Sequence, residues 1–142
     1  MFIEFLQSCI TPVAVISGVG LLLLSITNRM ARTVDRIRLL VRELDEVGVI
    51  RREKKENEIK ILYRRSRYLR NSIGAIVVSV ICTSLIIPVL FFMNLFRLDL
   101  RIIGYLLFFI TILSILVSLL YFFRDVVLSL RAVKLEAREY LP

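Results

Sequence analysis

Three stretches of this sequence, residues 9–27, 72–95 and 102–123, contain no Lys, Arg, Asp or Glu. They run to 19, 24 and 22 residues, and about 20 apolar residues rising 1.5 Å each cross a ~30 Å hydrocarbon core. A chain that is 58% hydrophobic and still 23% charged can fold only if the two kinds are kept apart, and here they are. Mean hydropathy is +0.79. The expected fold is an all-α membrane protein with three transmembrane helices. Residues 1–8 contain Glu4 and no Lys or Arg, the wrong charge for a signal-peptide n-region, so the first helix is expected to be retained.

Basic residues orient the spans. Residues 28–71 hold 14 of the 20 Lys and Arg, residues 94–101 hold Arg97 and Arg101, and residues 124–142 hold four. The positive-inside rule puts the first and last segments in the cytoplasm and the charge-poor N-terminus and 94–101 loop outside. A membrane crossed three times is the expected location.

The organisation follows. Residues 1–27 read as an outer interfacial segment and the first transmembrane helix. Phe2, Phe5, Leu6 and Cys9 share a face, forming either a short interfacial helix or an extension of the span. Residues 28–71 read as a cytoplasmic basic helical hairpin. Ile37, Leu40, Leu44 and Val47 step by three and four, as do Ile59, Leu62, Ser66, Leu69 and Ile73 after a turn at Gly48. That spacing predicts an antiparallel coiled-coil hairpin, each arm about 28 Å long. Residues 72–123 hold the second and third spans, and 124–142 a cytoplasmic amphipathic helix.

Within the spans, small and polar residues repeat. Glu4, Thr11, Gly18 and Ser25 recur every seven residues, and so do Gly104, Thr111, Ser118 and Asp125. Such stripes let helix backbones approach closely in lipid, with Ala14–Gly18 as a small-xxx-small pair. Alternatively, one stripe lines a conduit at an oligomer axis, because three helices are too few to enclose a pore in one protomer. The first span would then line it, with Glu4 as a carboxylate collar and Leu21, Leu22 and Leu24 as a constriction. Asp125 is expected to pair with Arg29 or a neighbouring arginine and to fix how the first and third spans meet.

The block from Pro12 through Ile16, Ser17 and the Leu run to Asn28 and Arg29, ending at Asp35, Arg36, Ile37 and Arg38, is one landmark; Arg64, Arg65, Ser66 and Arg67 are another. Together they resemble the bacterial "domain of unknown function 2721" family over nearly the whole chain. The resemblance implies a small prokaryotic membrane protein of this topology and carries no activity or site residues with it.

The chemistry available is sparse. There is no His and no Trp, no intramembrane carboxylate, no phosphate loop and no CxxC, so no catalytic residue, cofactor or metal is expected. Cys9 and Cys82 read as small apolar residues of the spans. Residues 28–71 carry seven acids against their 14 basic residues. The cluster Arg32, Arg36, Arg64, Arg65, Arg67 and Arg70 is expected to face lipid and contact anionic headgroups, at about 1 kcal/mol per cation. Nucleic acid is not expected, since charge without a recognition module does not select it. The reading at this level is a non-enzymatic, homo-oligomeric membrane protein that assembles through its small and polar transmembrane faces, the third-span stripe above all, and the cytoplasmic hairpin. The alternative is a small oligomeric ion channel.

Overall fold

In hydrocarbon the backbone has no water to bond with, so a spanning segment must satisfy its own N–H and C=O groups as a helix. A computed structural model of the chain, describing residues 2–44, 49–96 and 99–140, has three helices long and apolar enough to cross a membrane. They are α1 (Phe2–Leu44), α2 (Val49–Phe96) and α3 (Arg101–Tyr140), of 43, 48 and 40 residues. Among the described residues there is no strand. At 1.5 Å per residue the helices are about 60–70 Å long, twice the hydrocarbon thickness. Each therefore continues well past its charge-free run.

The N-terminal segment is an extension of the first span, not a separate interfacial helix, with Pro12 inside α1. The boundaries at 27, 71 and 123 likewise mark changes of surroundings within continuous helices. Residues 124–140 are the end of α3. The Gly48 turn, with Val47, lies outside the described residues, as do the side chains of Glu4 and of residues 131–140. Gly104 N–H donates to Leu100 C=O (3.1 Å), closing the first turn of α3.

Packing follows a single number. The buried residues of α1 are Pro12, Val19, Ile26, Thr33 and Leu40, one every seven. On α2 they are Leu62, Leu69, Ile76 and Thr83, again every seven, plus Ser72 and Ser79. On α3 they are Thr111, Ser118 and Asp125. α2 is thus the shared element, with Leu69 and Ile76 clustered with Val19 and Ile26 of α1 and with Ser72 and Thr83 meeting Ser118 and Thr111 of α3. Val19, Ile26, Leu69 and Ile76 form the core cluster, with Met30, Ile115 and Phe122 packed against it. Beyond the span, Leu40 and Leu62 carry the seam into the hairpin. Burial away from water there contributes about 1.5–3 kcal/mol per side chain. Of the other expected seam residues, Ile37, Leu44, Ile59, Ser66 and Ile73 are half-buried.

The rest of the spans faces outward. Leu21, Leu24, Phe109 and Leu120 are among the many large apolar side chains left exposed, far more than a water-facing surface carries and what a lipid-facing one requires.

Candidate functional site

The α2–α3 seam is polar in layers. Ser72 Oγ donates to the Ser118 carbonyl (2.9 Å) and meets Ser118 Oγ at 2.8 Å. Toward the N-terminal end of the bundle, Thr83 Oγ1 and Thr111 Oγ1 are 3.3 Å apart, and each donates to the carbonyl four residues back. Seven residues from Ser118 in the other direction stands Asp125, and seven from Ser72 stands Arg65. Arg65 Nε donates to Asp125 Oδ1 at 3.1 Å. The helices are antiparallel, so one step of seven on each carries the seam from the Ser72–Ser118 layer to Arg65–Asp125, while in the other direction Thr111, seven residues from Ser118, meets Thr83, eleven from Ser72.

The Asp125 layer joins all three helices. Arg29 Nε of α1 lies 2.9 Å from Asp125 Oδ2, and the Asp125 side chain is 0% exposed, against 30% for Arg29 and 14% for Arg65. The Arg29 contact is an ion pair without aligned hydrogen-bond geometry, so Oδ2 has no hydrogen bond of its own. The Arg29 guanidinium also sits over the Phe122 ring, 5.5 Å from its centroid, a cation–π arrangement. Tyr68 and Tyr121 stack beside it at 6.5 Å. A carboxylate out of water is tolerated only when paired, and this one is held from two sides.

That placement corrects one expectation. Arg65 does not face lipid with the other juxtamembrane arginines. It points into the bundle and is the second partner of Asp125. The signal was its spacing, since 65, 72 and 79 on α2 step in sevens as 111, 118 and 125 do on α3. The rest of the cluster divides. Arg64, Arg67 and Arg70 are exposed, while Arg29, Arg32, Arg36 and Arg65 line a pocket of about 380 Å³ between α1 and α2, with Thr33 and Leu62.

The two stripes also part company. Thr111 and Ser118 are buried against α2, so that part of the third-span stripe packs inside the protomer, whereas Gly104 is half-buried with open space where a Cβ would stand. Thr11, Gly18 and Ser25 are exposed on α1, one position away from its buried ladder. A second cavity, of about 390 Å³, opens between the N-terminal parts of α1 and α3 and the C-terminal part of α2, lined by Pro12, Met93, Arg101, Tyr105, Phe108 and Thr111.

Further from the spans, Lys55 Nζ donates to Glu43 Oε2 at 2.8 Å and Arg36 reaches Glu58 at 3.2 Å. The hydrogen bond from Lys55, helped by its charge and that of Arg36, holds the Glu43 carboxyl below its ordinary 4.5. A lowered carboxylate pKa stabilises the fold above the ordinary value, and that contribution is lost as pH falls through the lowered one. Lys55→Met is therefore expected to raise the titration midpoint of Glu43, read by carboxyl-carbon NMR. An unchanged midpoint would show that the pair does not form.

Among the described residues no group of three His, Cys, Asp or Glu could hold a metal ion, and Cys9 and Cys82 are free, half-buried thiols. No curated protein and no solved structure matches the chain. Residues 9–135 match the family described as "Protein of unknown function (DUF2721)", a span reaching from the first turn of the first transmembrane run to the end segment of α3; the chain belongs to that family.

Proposed function

We propose that the protein is a non-enzymatic, self-associating protein of the bacterial inner membrane. Its N-terminus lies outside, and its hairpin and C-terminus lie in the cytoplasm, where it acts as a scaffold or partner-binding module. The orientation rests on the basic residues of segment 28–71. Self-association rests on one observation. Ser72, Ser79 and Thr83 of α2 and Thr111 and Ser118 of α3 are buried within the protomer, whereas Thr11, Gly18 and Ser25 of α1 stay exposed.

A Cβ built on Gly18 meets nothing within 4 Å, so this glycine is not needed for packing within the protomer. Ser17 and Thr27 satisfy their hydroxyls on the carbonyls of Val13 and Leu23. Those of Thr11 and Ser25 have no partner among the described residues. Close approach of a second α1, through Ala14 and Gly18, supplies both packing and hydroxyl partners.

Gly18→Leu is expected to weaken self-association about tenfold or more, equivalent to about 1.4 kcal/mol, in mass measurements across detergent-to-protein ratios. A wild-type protein that stays monomeric at the lowest detergent ratio sinks the reading. The same exposed stripe favours a second reading, an ion channel with α1 lining the axis of a ring. Liposome ion flux that disappears in Gly18→Leu and survives in Gly104→Leu would select it over the scaffold.

A further inference from the structure

The pocket between α1 and α2 brings arginines of two helices to one place. Arg29, Arg32 and Arg36 come from successive turns of α1 and Arg65 from the facing side of α2. Beneath them lie the buried side chains of Thr33 and Leu62. Against these four guanidiniums stand two carboxylates, Asp125 under Arg29 and Arg65 and Glu58 beside Arg36. The formal excess is two positive charges. Arg32 has no carboxylate partner among the described residues. A cavity of roughly 380 Å³ walled by four guanidiniums that two carboxylates only partly neutralise suits a multivalent oxyanion, which Arg forks engage through paired hydrogen bonds.

Depth narrows the choice of anion. Arg29 stands two residues past the charge-free run of α1, and Arg65 seven residues, about 10 Å, before that of α2. The headgroup layer occupies roughly 5–8 Å on each side of the hydrocarbon core. Arg29 and Arg32, about 3 and 8 Å past the run of α1, therefore lie within that layer, and Arg36 and Arg65 stand just beyond it with side chains long enough to reach back, which puts the mouth of the pocket at the level of lipid phosphates on the hairpin side of the membrane.

We infer that this pocket is a phosphate-binding site, taking the phosphoryl group of an anionic phospholipid headgroup or of a free phosphate at the membrane surface. Arg32 and Arg36 contact the phosphoryl oxygens, and Arg29 and Arg65, already fixed by Asp125, form its inner wall. The site sharpens the general attraction of basic residues to anionic lipid into one binding position. It requires the boundary placement of the arginines and nothing about self-association.

Arg64 and Arg67 provide the control, because they lie at the same depth on the same helix as Arg65 but are exposed outside the pocket. The full-length protein in neutral detergent is titrated with phosphatidylglycerol, and with phosphatidylcholine in parallel, and bound lipid is counted by native mass spectrometry. A second arm measures thermal stability in sodium phosphate against sodium chloride of equal ionic strength. The double variant Arg32→Gln/Arg36→Gln is expected to lose phosphatidylglycerol about tenfold, and Arg64→Gln/Arg67→Gln less than about twofold.

A saturable stabilisation by inorganic phosphate, lost in the same pocket variant, supports the site with solution as the source. If both double variants lose lipid equally, the attraction is diffuse surface charge and the site is refuted. Binding of neither phosphatidylglycerol nor phosphate above the phosphatidylcholine and chloride controls refutes it as well. Should the double variant fold poorly, Arg32→Gln alone removes the unpaired cation and carries the test. Oligomer mass is read in the same spectra, so a failure of self-association is seen separately from a failure of this site.

Discussion

Replacing Asp125 with alanine is expected to destabilise the folded bundle by roughly 3–5 kcal/mol, the usual result of removing one partner from a buried ionic group. Arg29 and Arg65 would be left facing each other across a cavity, the second of them only 14% exposed. Unfolding in mixed micelles of increasing SDS fraction measures the loss, and a change below about 0.5 kcal/mol, the scale of an ordinary surface substitution, would show the layer to be dispensable. The triple variant Arg29→Met, Arg65→Met, Asp125→Leu is expected to recover most of the stability, because apolar replacements of buried ion pairs are often neutral or better. The ionic layer then contributes specificity of arrangement more than net stability. That outcome separates it from a simple structural brace.

The second large effect is expected at Ser72, which is fully buried against Ser118. Ser72→Ala removes a hydroxyl contact and is expected to cost about 0.6 kcal/mol, typical of interhelical hydrogen bonds in bilayers. Ser72→Leu keeps the residue apolar but forces several methylenes into a seam sized for serine, at a cost of about 1–3 kcal/mol or more. The same micelle titration reads both. If alanine proved as costly as leucine, the seam would be held by its hydrogen bonds and not by close approach of the helix backbones.

The spans were legible because charge cannot be hidden in hydrocarbon: three charge-free runs leave few alternatives to three crossings. The stripe at Gly104, Thr111, Ser118 and Asp125 was legible for a related reason, since polar residues in an apolar helix stand out and their spacing names a face. The inward face of α1 was not. Pro12, Val19 and Ile26 lie one position from Thr11, Gly18 and Ser25, and in a helix apolar all round, hydropathy does not say which face meets protein. Small-residue spacing picked out the face that turns outward. Arg65 was hidden by the opposite problem. It sits among Arg64, Arg67 and Arg70, all juxtamembrane cations, and only the phase of α3 singles it out. The pocket had no signature along the chain, because its walls come from two helices whose relative rotation is set by Ile26 against Leu69.

The matched layers of the α2–α3 seam carry a hidden ambiguity. A ladder that repeats every seven residues nearly fits itself when displaced by one repeat. Slid seven residues one way, Ser118 would meet Ser79 in place of Ser72 and keep a hydroxyl opposite a hydroxyl. The charged layer forbids this most strongly, because Asp125 would then face Ser72 while Arg65 lost its carboxylate; Thr111 would also leave Thr83. Slid the other way, Asp125 would approach the level of Glu58 and Ser118 that of Arg65. A single buried polar group that fixes alignment is a known use of such residues between helices. Here the serines and threonines make the helices fit, and the aspartate decides which of several fits the chain adopts.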